Sequence, residues 1–268
     1  MATMNDGSPA IDTTVSHSAR IWNYWLGGKD NFSVDQEAGD RILEVLPEIA
    51  TIARATRAVL RRFITHLVAE AGVRQFLDIG TGLPTQNNTH EVAQALAPES
   101  RIVYVDNDPL VLAHARALLV GTEEGATDYL HADLNDPEAI LSAAAATLDF
   151  DRPVAVTMLG VLPFVGDDAA AKSIIDRLMG GLPPGSHLAI VHSTSAVTGD
   201  AMVEAVRRWN AAGSAIYHLR TPERIAGLFD GLELVEPGVV SCPLWRPEPA
   251  DIGIPEEMDE YCGLAVKR

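Results

Sequence analysis

Hydrophobic positions recur along the chain with two periods, and the period changes near residue 74. Before that point, apolar side chains between residues 49 and 68 recur at spacings of three and four, with arginines mostly between them. This spacing predicts an amphipathic helix that ends near Gly72. After that point, short apolar runs alternate with helical stretches over 89–96, 109–118 and 137–147. The alternation predicts an α/β fold in which helices cover both faces of a parallel sheet.

The predicted strands continue to the last residues of the chain, but the helices between them do not. The last two strand-like runs flank a Pro-rich, acidic loop without a helical pattern, so they should pair antiparallel. We therefore expect a Rossmann-like sheet of seven strands, mostly parallel, with an antiparallel final strand. In order, its strands are QFLDIG, RIVYVD, TDYLHAD, PVAVTMLGVL, HLAIVHSTS, GLELVEPGVV and YCGLAVKR.

Composition divides the chain into three parts. Residues 1–18 are small and polar, which is typical of a disordered tail. Residues 19–72 form an N-terminal helical extension that begins with the aromatic segment ARIWNYWLGGKDNF. Residues 73–268 contain the alternating pattern and form the ligand-binding domain.

Charge and cysteine content narrow the possible partners and location. The chain has 20 Lys and Arg against 37 Asp and Glu, a formal charge of −17, which disfavours nucleic acid and anionic lipid as partners. Cys242 and Cys262 lack the spacing of zinc ligands, so we expect free thiols and no metal site. The sequence shows no signal-peptide pattern and no apolar stretch of about 18 residues. We expect a cytoplasmic protein that does not enter the membrane; nothing in the pattern specifies an oligomeric state.

The motif FLDIGTGLP is the strongest indication of a ligand site. It places Asp78 at the end of a buried strand and then turns on Gly80 and Gly82, which allow backbone to approach a ligand closely. The next two strands also end in acids, Asp106 and Asp133. Asp106 could accept hydrogen bonds from ribose hydroxyls, while Asp133 and its neighbour could contact an adenine. Loops at the carboxyl ends of parallel strands line the crevice where such sheets bind ligands.

These motifs resemble those of the class I S-adenosylmethionine-dependent methyltransferases, over roughly residues 74–268. Asp78-Ile79-Gly80-Thr81-Gly82 fits the first motif of that superfamily, although Pro84 replaces its third glycine. The resemblance implies the methyltransferase version of the Rossmann-like fold, with S-adenosylmethionine as cofactor. The cofactor-binding residues that it implies are Asp78, Gly80, Thr81, Gly82, Asp106, Asn107, Asp133, Leu134, Leu159 and Gly160.

A closer resemblance includes the N-terminal extension. The segment ARIWNYWLGGKDNF, together with FLDIGTGLPT and Asn88-Thr89-His90-Glu91, is similar to a methyltransferase-like family long catalogued as a domain of unknown function. Members of that family are regarded as S-adenosylmethionine-dependent methyltransferases with unassigned substrates. The resemblance thus implies the cofactor and leaves the reaction open.

Two other functions remain open at this stage. An NAD(P)-dependent oxidoreductase would favour G-x-G-x-x-G, but Thr85 stands at the third glycine position and Pro84 interrupts the start of the helix. A non-catalytic regulatory protein that binds S-adenosylmethionine would carry the same motifs as an enzyme.

The acceptor site is predicted from two segments. The end of the fourth strand, Leu159 to Phe164, lacks the Asn/Asp-Pro-Pro-Tyr motif of dedicated amine methylation. It predicts instead an apolar wall for a small-molecule acceptor, which includes Pro163 and Phe164. The N-terminal extension is either a lid over the site or an aromatic staple on the sheet. The proposed lid residues are Arg20, Tyr24, Lys29, Asn31 and Phe32.

No residue stands out as catalytic. His192 ends the fifth predicted strand and could act as a general base near neutral pH, although a histidine there is more often a packing residue. Tyr24 is the second candidate.

Overall fold

The computed structural model describes residues 12–84, 87–118, 120–212, 215–248 and 255–268. Its helices are α1 (Ser18–Trp25), α2 (Ser33–Leu43), α3 (Ile49–Ala69), α4 (Thr89–Leu96), α5 (Pro109–Leu118), α6 (Pro137–Ala144), α7 (Asp168–Gly180), α8 (Asp200–Ala211) and α9 (Pro222–Gly227). Its strands are β1 (Gln75–Ile79), β2 (Arg101–Asp106), β3 (Ala126–His131), β4 (Ala155–Leu159), β5 (His187–Ser193), β6 (Glu233–Leu234), β7 (Val240–Ser241) and β8 (Glu260–Val266).

The strands form one mixed sheet in the order β3-β2-β1-β4-β5-β8-β6, and β7 also pairs with β8. Strands β1 to β5 are parallel, whereas β8 runs antiparallel to β5, β6 and β7. The predicted parallel sheet with an antiparallel final strand is therefore confirmed. Because β1 to β4 are parallel, the loops that follow them meet at one edge of the sheet.

The described part of the sheet contains one strand more than predicted, because the run GLELVEPGVV does not form a continuous strand. A turn at Glu236-Pro237-Gly238 separates β6 from β7, with the Gly238 N–H donating to the Val235 carbonyl at 2.9 Å. Proline has no N–H to donate to a neighbouring strand, so it interrupts the ladder at this point.

Alternate residues of the buried strands pack on opposite faces of the sheet. Leu77, Val103 and Val156 belong to a core with α6 and α7. Phe76 and Ile102 belong to a second core with α3, which also contains the ring pair Phe63–Trp245 at 4.4 Å between centroids. Burial on both faces explains why these strands are continuous apolar runs rather than alternating ones. Cys242 and Cys262 lie unbridged and buried in the second core, as expected.

The N-terminal extension packs against α8 through a third cluster. Ile21 and Trp25 of α1 meet Ile42 of α2 and Ile52 of α3, and Trp25 lies 6.1 Å from the Trp209 ring of α8. Its helices are therefore attached to the sheet domain by apolar burial.

The predicted tail, residues 1–18, is described only in part. Residues 1–11 lie outside the described residues, but residues 12–17 pack against α1. The buried Arg20 guanidinium donates to the carbonyls of Asp12 and Val15, and the His17 N–H donates to Asp35 at 2.9 Å. Composition alone misses these contacts because the segment supplies mainly backbone groups. Within the described ranges, no helix has both the length and the apolar character needed to cross a bilayer.

We predict that Asp35→Ala destabilises the protein by about 3 kcal/mol or more, because it removes the partner of a buried cation. The Asp35 carboxylate is fully buried, accepts the N–H groups of His17 and Phe32, and lies 3.4 Å from Arg20 Nε. Urea unfolding followed by circular dichroism measures the loss. Glu37→Ala, on the exposed side of the same helix, is the control; a loss below about 1 kcal/mol for Asp35→Ala would contradict the assignment.

Candidate functional site

A cavity of about 290 Å³ opens at the carboxyl edge of the sheet. Its wall is formed by the loops that follow β1, β2, β3 and β4, together with faces of α1 and α3. All of the residues expected to bind a cofactor border this one cavity: Asp78, Gly80, Thr81, Gly82, Asp106, Asn107, Asp133, Leu134, Leu159 and Gly160.

The two glycines of the first loop serve different purposes. Both have positive φ angles, +72° at Gly80 and +66° at Gly82, which side-chain-bearing residues rarely adopt. A Cβ on Gly80 would lie 2.5 Å from Cβ of Val161, so glycine is needed there for close packing against the loop after β4. A Cβ on Gly82 would meet no atom within 4 Å, because this glycine borders the open cavity.

Asp106 is a buried carboxylate in a fixed position. One of its oxygens accepts the Gly82 N–H and the other accepts the Asp108 N–H, both at 2.9 Å. Burial raises the pKa of Asp106, and these backbone bonds oppose that shift. Each carboxylate oxygen has a second lone pair, so Asp106 could also accept hydrogen bonds from a ligand in the cavity.

Asp78 links β1 to α4 and to β4. Its carboxylate accepts hydrogen bonds from the Thr89 and Thr157 hydroxyls, at 2.6 and 2.8 Å. Burial raises the pKa of Asp78, although both hydroxyls lower it. Through this bond from Thr89, the motif Asn88-Thr89-His90-Glu91 thus fixes the end of β1 just before the glycine loop.

Arg57 brings a positive charge to the α3 side of the cavity, which the sequence analysis missed. Its guanidinium donates to the Asn87 carbonyl at 3.0 Å, and burial lowers its pKa while Asp78 raises it. Arg57 lies four residues after Ala53 and three before Leu60, and both of those residues also border the cavity. The spacing of Ala53, Arg57 and Leu60 places all three on one face of the helix, so the sequence could have indicated Arg57 as a residue of the site.

The third strand contributes a more exposed part of the wall. Asp133 and Leu134 border the cavity, and the Asp133 carboxylate accepts both the backbone N–H and the side-chain amide of Asn135 at 2.9 Å. The acid is therefore oriented by its own loop.

The N-terminal extension covers the cavity through a different helix face from the one we proposed. Besides the residues of α3, those of α1 and its two caps that border the cavity form one stripe: His17, Ser18, Ala19, Trp22, Asn23 and Leu26. His17 Nδ1 also lies 2.9 Å from a carboxylate oxygen of Asp108, in the loop after β2.

The proposed lid residues lie away from this stripe, outside the described wall of the cavity. Arg20 contacts Asp35, the Tyr24 hydroxyl donates to Asp40 at 2.6 Å, and Asn31 donates to Asn23 at 2.8 Å. Phe32 packs against a small apolar cluster with Leu83, Leu110 and Val111, and Lys29 is exposed. All of them except Lys29 thus contact other parts of the segment or the sheet domain. Positions 20 and 24 face away from positions 18, 22 and 26 because a helix turns about 100° per residue.

Neither catalytic candidate lies in the described cavity wall. His192 is fully buried, with Nδ1 2.8 Å from the Ser193 carbonyl and Nε2 2.6 Å from the Arg220 guanidinium. Burial lowers its pKa to about 3. Both ring nitrogens of His192 are engaged in the interior, and the Tyr24 hydroxyl donates to Asp40. A catalytic role for either residue stays a prediction. Of the two predicted acceptor-wall residues, Phe164 borders the cavity, whereas Pro163 is buried outside it.

Comparison with known proteins agrees with this architecture. The chain is 44% identical to a DUF574 family protein from Streptomyces avermitilis MA-4680, covering 97% of this chain and 100% of that one, with a TM-score of 0.92. It is 37% identical to a protein from Thermobifida fusca YX described as a candidate methyltransferase, covering 100% of both chains, with a TM-score of 0.88. Comparison with curated proteins gave no match. The S-adenosyl methyltransferase family model matches residues 4–268. The chain therefore belongs to the S-adenosyl methyltransferase family, whose members take their methyl group from S-adenosylmethionine.

Proposed function

We propose that this cavity binds S-adenosylmethionine beside a small-molecule acceptor, and that the protein transfers the methyl group between them. One observation carries the proposal. The loops after four consecutive parallel strands converge on one cavity, with the Asp106 carboxylate fixed at its base. The family match supports this reading over an oxidoreductase.

The chemistry of the wall fits the parts of the cofactor. Asp106 would accept the ribose hydroxyls, and Asp133 and Leu134 would contact the adenine. The Arg57 guanidinium supplies a counter-charge for the carboxylate of the methionine part. Gly82 and Gly160 both border the cavity, and a side chain at either position would project into open space. Because they lack a side chain, that space is left for a ligand.

The chain contributes to the reaction mainly by positioning. S-adenosylmethionine supplies a methyl group on a positively charged sulfur, which becomes a neutral thioether after transfer. Trp22, Phe164 and Val165 make one side of the cavity apolar, so they would exclude water and hold an acceptor against the methyl group. Alignment of two reactants in this way can contribute roughly 7–11 kcal/mol. A base is required only where the acceptor must first lose a proton.

We predict that S-adenosylhomocysteine, the product form of the cofactor, raises the melting temperature of the protein and that NAD does not. At a concentration of 100 Kd a ligand stabilises the folded state by about 2.7 kcal/mol. For a chain of this size that corresponds to roughly 5–11 °C. Differential scanning fluorimetry with both ligands at equal concentration measures the shift. A shift with NAD alone would reverse the assignment.

We predict that Asp106→Asn weakens binding of S-adenosylhomocysteine at least about tenfold, since hydrogen bonds to a charged group contribute about 1.5–3 kcal/mol. Isothermal titration calorimetry measures the affinity. Asp151→Asn is the control, because Asp151 is exposed in the turn before β4, at the other end of the sheet. Unchanged affinity in Asp106→Asn would show that another residue holds the ribose.

We predict opposite effects for alanine at the two glycines of the first loop. Both substitutions strain a backbone with positive φ, but Gly80→Ala also forces a Cβ against Val161. Gly80→Ala should therefore lose the greater stability, by about 2 kcal/mol or more. Gly82→Ala should lose the greater affinity for S-adenosylhomocysteine. Urea unfolding and calorimetry on both variants test this order, and equal losses in both measurements would refute it.

A further inference from the structure

A second, smaller cavity of about 30 Å³ lies beside the first. Trp22 borders both cavities, and Ser193 and Tyr217 are among the residues that line the small one. Its volume suits a group of one or two heavy atoms, since a single water needs about 10–15 Å³ by this measure. The small cavity could therefore hold the end of a ligand whose remainder lies in the large one.

The small cavity is surrounded by a connected series of aromatic rings. Trp22 lies 5.6 Å from Trp25, Trp25 lies 6.1 Å from Trp209, and Trp209 lies 5.7 Å from Tyr217, between ring centroids. Phe164, in the wall of the large cavity, lies 5.2 Å from Tyr217 and continues the series. Aromatic rings around a desolvated space attract organic cations.

A chain of hydrogen bonds leads from the small cavity to a buried acid. Ser193 Oγ donates to Glu260 Oε2 at 2.6 Å and lies 2.6 Å from the Tyr217 hydroxyl. When Glu260 is ionised it can only accept, so the serine proton points to Glu260 and the tyrosine proton points to the serine. The Tyr217 oxygen then offers only lone pairs to the cavity, and its natural partner is a hydrogen-bond donor.

The buried acid lacks a positive partner. Glu260 is fully buried, and its Oε1 atom has no hydrogen-bond partner among the described residues. Burial, together with the neighbouring Asp259, raises the pKa of Glu260 to about 8, although the hydrogen bond from Ser193 lowers it. A buried carboxyl without a counter-charge is costly, and a cation bound nearby would favour its ionised form.

We propose that the small cavity binds the ammonium end of the methyl acceptor, so that the acceptor is an amine-bearing small molecule. Its N–H groups donate to the Tyr217 oxygen, its charge lies among the tryptophan rings, and Glu260 compensates that charge through Ser193. The rest of the acceptor passes Trp22 into the large cavity. This inference rests on the proposed function, because it assumes that the large cavity holds both reactants.

The test uses ethylammonium chloride as the probe and ethanol as its neutral counterpart. Three of the four tryptophans surround the small cavity, so intrinsic fluorescence of the full chain, saturated with S-adenosylhomocysteine, reports binding. We expect a saturable change with ethylammonium and none with ethanol. Glu260→Gln and Tyr217→Phe should each weaken ethylammonium binding about tenfold or more. Glu256→Gln, an exposed acid, and Tyr261→Phe are the matched controls and should behave as the parent protein.

The outcomes separate this inference from the proposed function. Calorimetry with S-adenosylhomocysteine on each variant shows that the fold and the large cavity remain intact. If the parent protein does not bind S-adenosylhomocysteine, the proposed function fails. If it binds that ligand but ethanol matches ethylammonium, or Glu260→Gln binds ethylammonium normally, the small cavity is a water-sized packing space and the inference is wrong. The comparison of the two probes needs no variant, so it holds even where a substitution prevents folding.

Discussion

One carboxylate determines the shape of the crevice. Asp106 accepts the backbone N–H of Gly82 from the loop after β1 and that of Asp108 from the loop after β2. It thereby fixes the distance between two loops that the parallel strands only bring near each other. His17 of the N-terminal segment then pairs with the Asp108 side chain, so that α1 is aligned on the same loop. Loss of a buried acceptor leaves N–H groups without partners, and each costs about 1–3 kcal/mol. The positions of three wall segments therefore depend on this group.

Two faces of α1, the first helix of the N-terminal extension, make different contacts. The face with Ser18 and Trp22 borders the cavity, and the face with Arg20 and Tyr24 holds the segment to residues 12–15 and to α2. Of the two alternatives left open by the sequence, the aromatic packing is present, since Trp25 lies against Trp209 of α8. The lid stays a prediction. A cover attached by burial and by a buried ion pair is well ordered, which suits a reaction that depends on alignment.

The sequence was most informative where function follows from local pattern. Asp78, Asp106 and Asp133 each end a strand, and parallel strands bring such ends together, so their shared cavity could be predicted from order along the chain. Contacts between residues far apart in the sequence could not be predicted in this way. His192 resembles a free strand-end base until Arg220, 28 residues later, is seen to occupy its second nitrogen. The chain from Tyr217 through Ser193 to Glu260 joins positions 24 and 67 residues apart. The break between β6 and β7 could have been predicted from Pro237 alone, which lies within that run.

The placement of β8 has a kinetic consequence. This strand follows all the others in sequence, yet it lies between β5 and β6 in space. During synthesis, the edge of β5 therefore stays unpaired until the chain has grown by 67 residues, from Ser193 to Glu260. Contacts so distant in sequence form slowly, and an open strand edge can pair with another chain. Until β8 has been made, the edge of β5 is thus open to pairing with another chain.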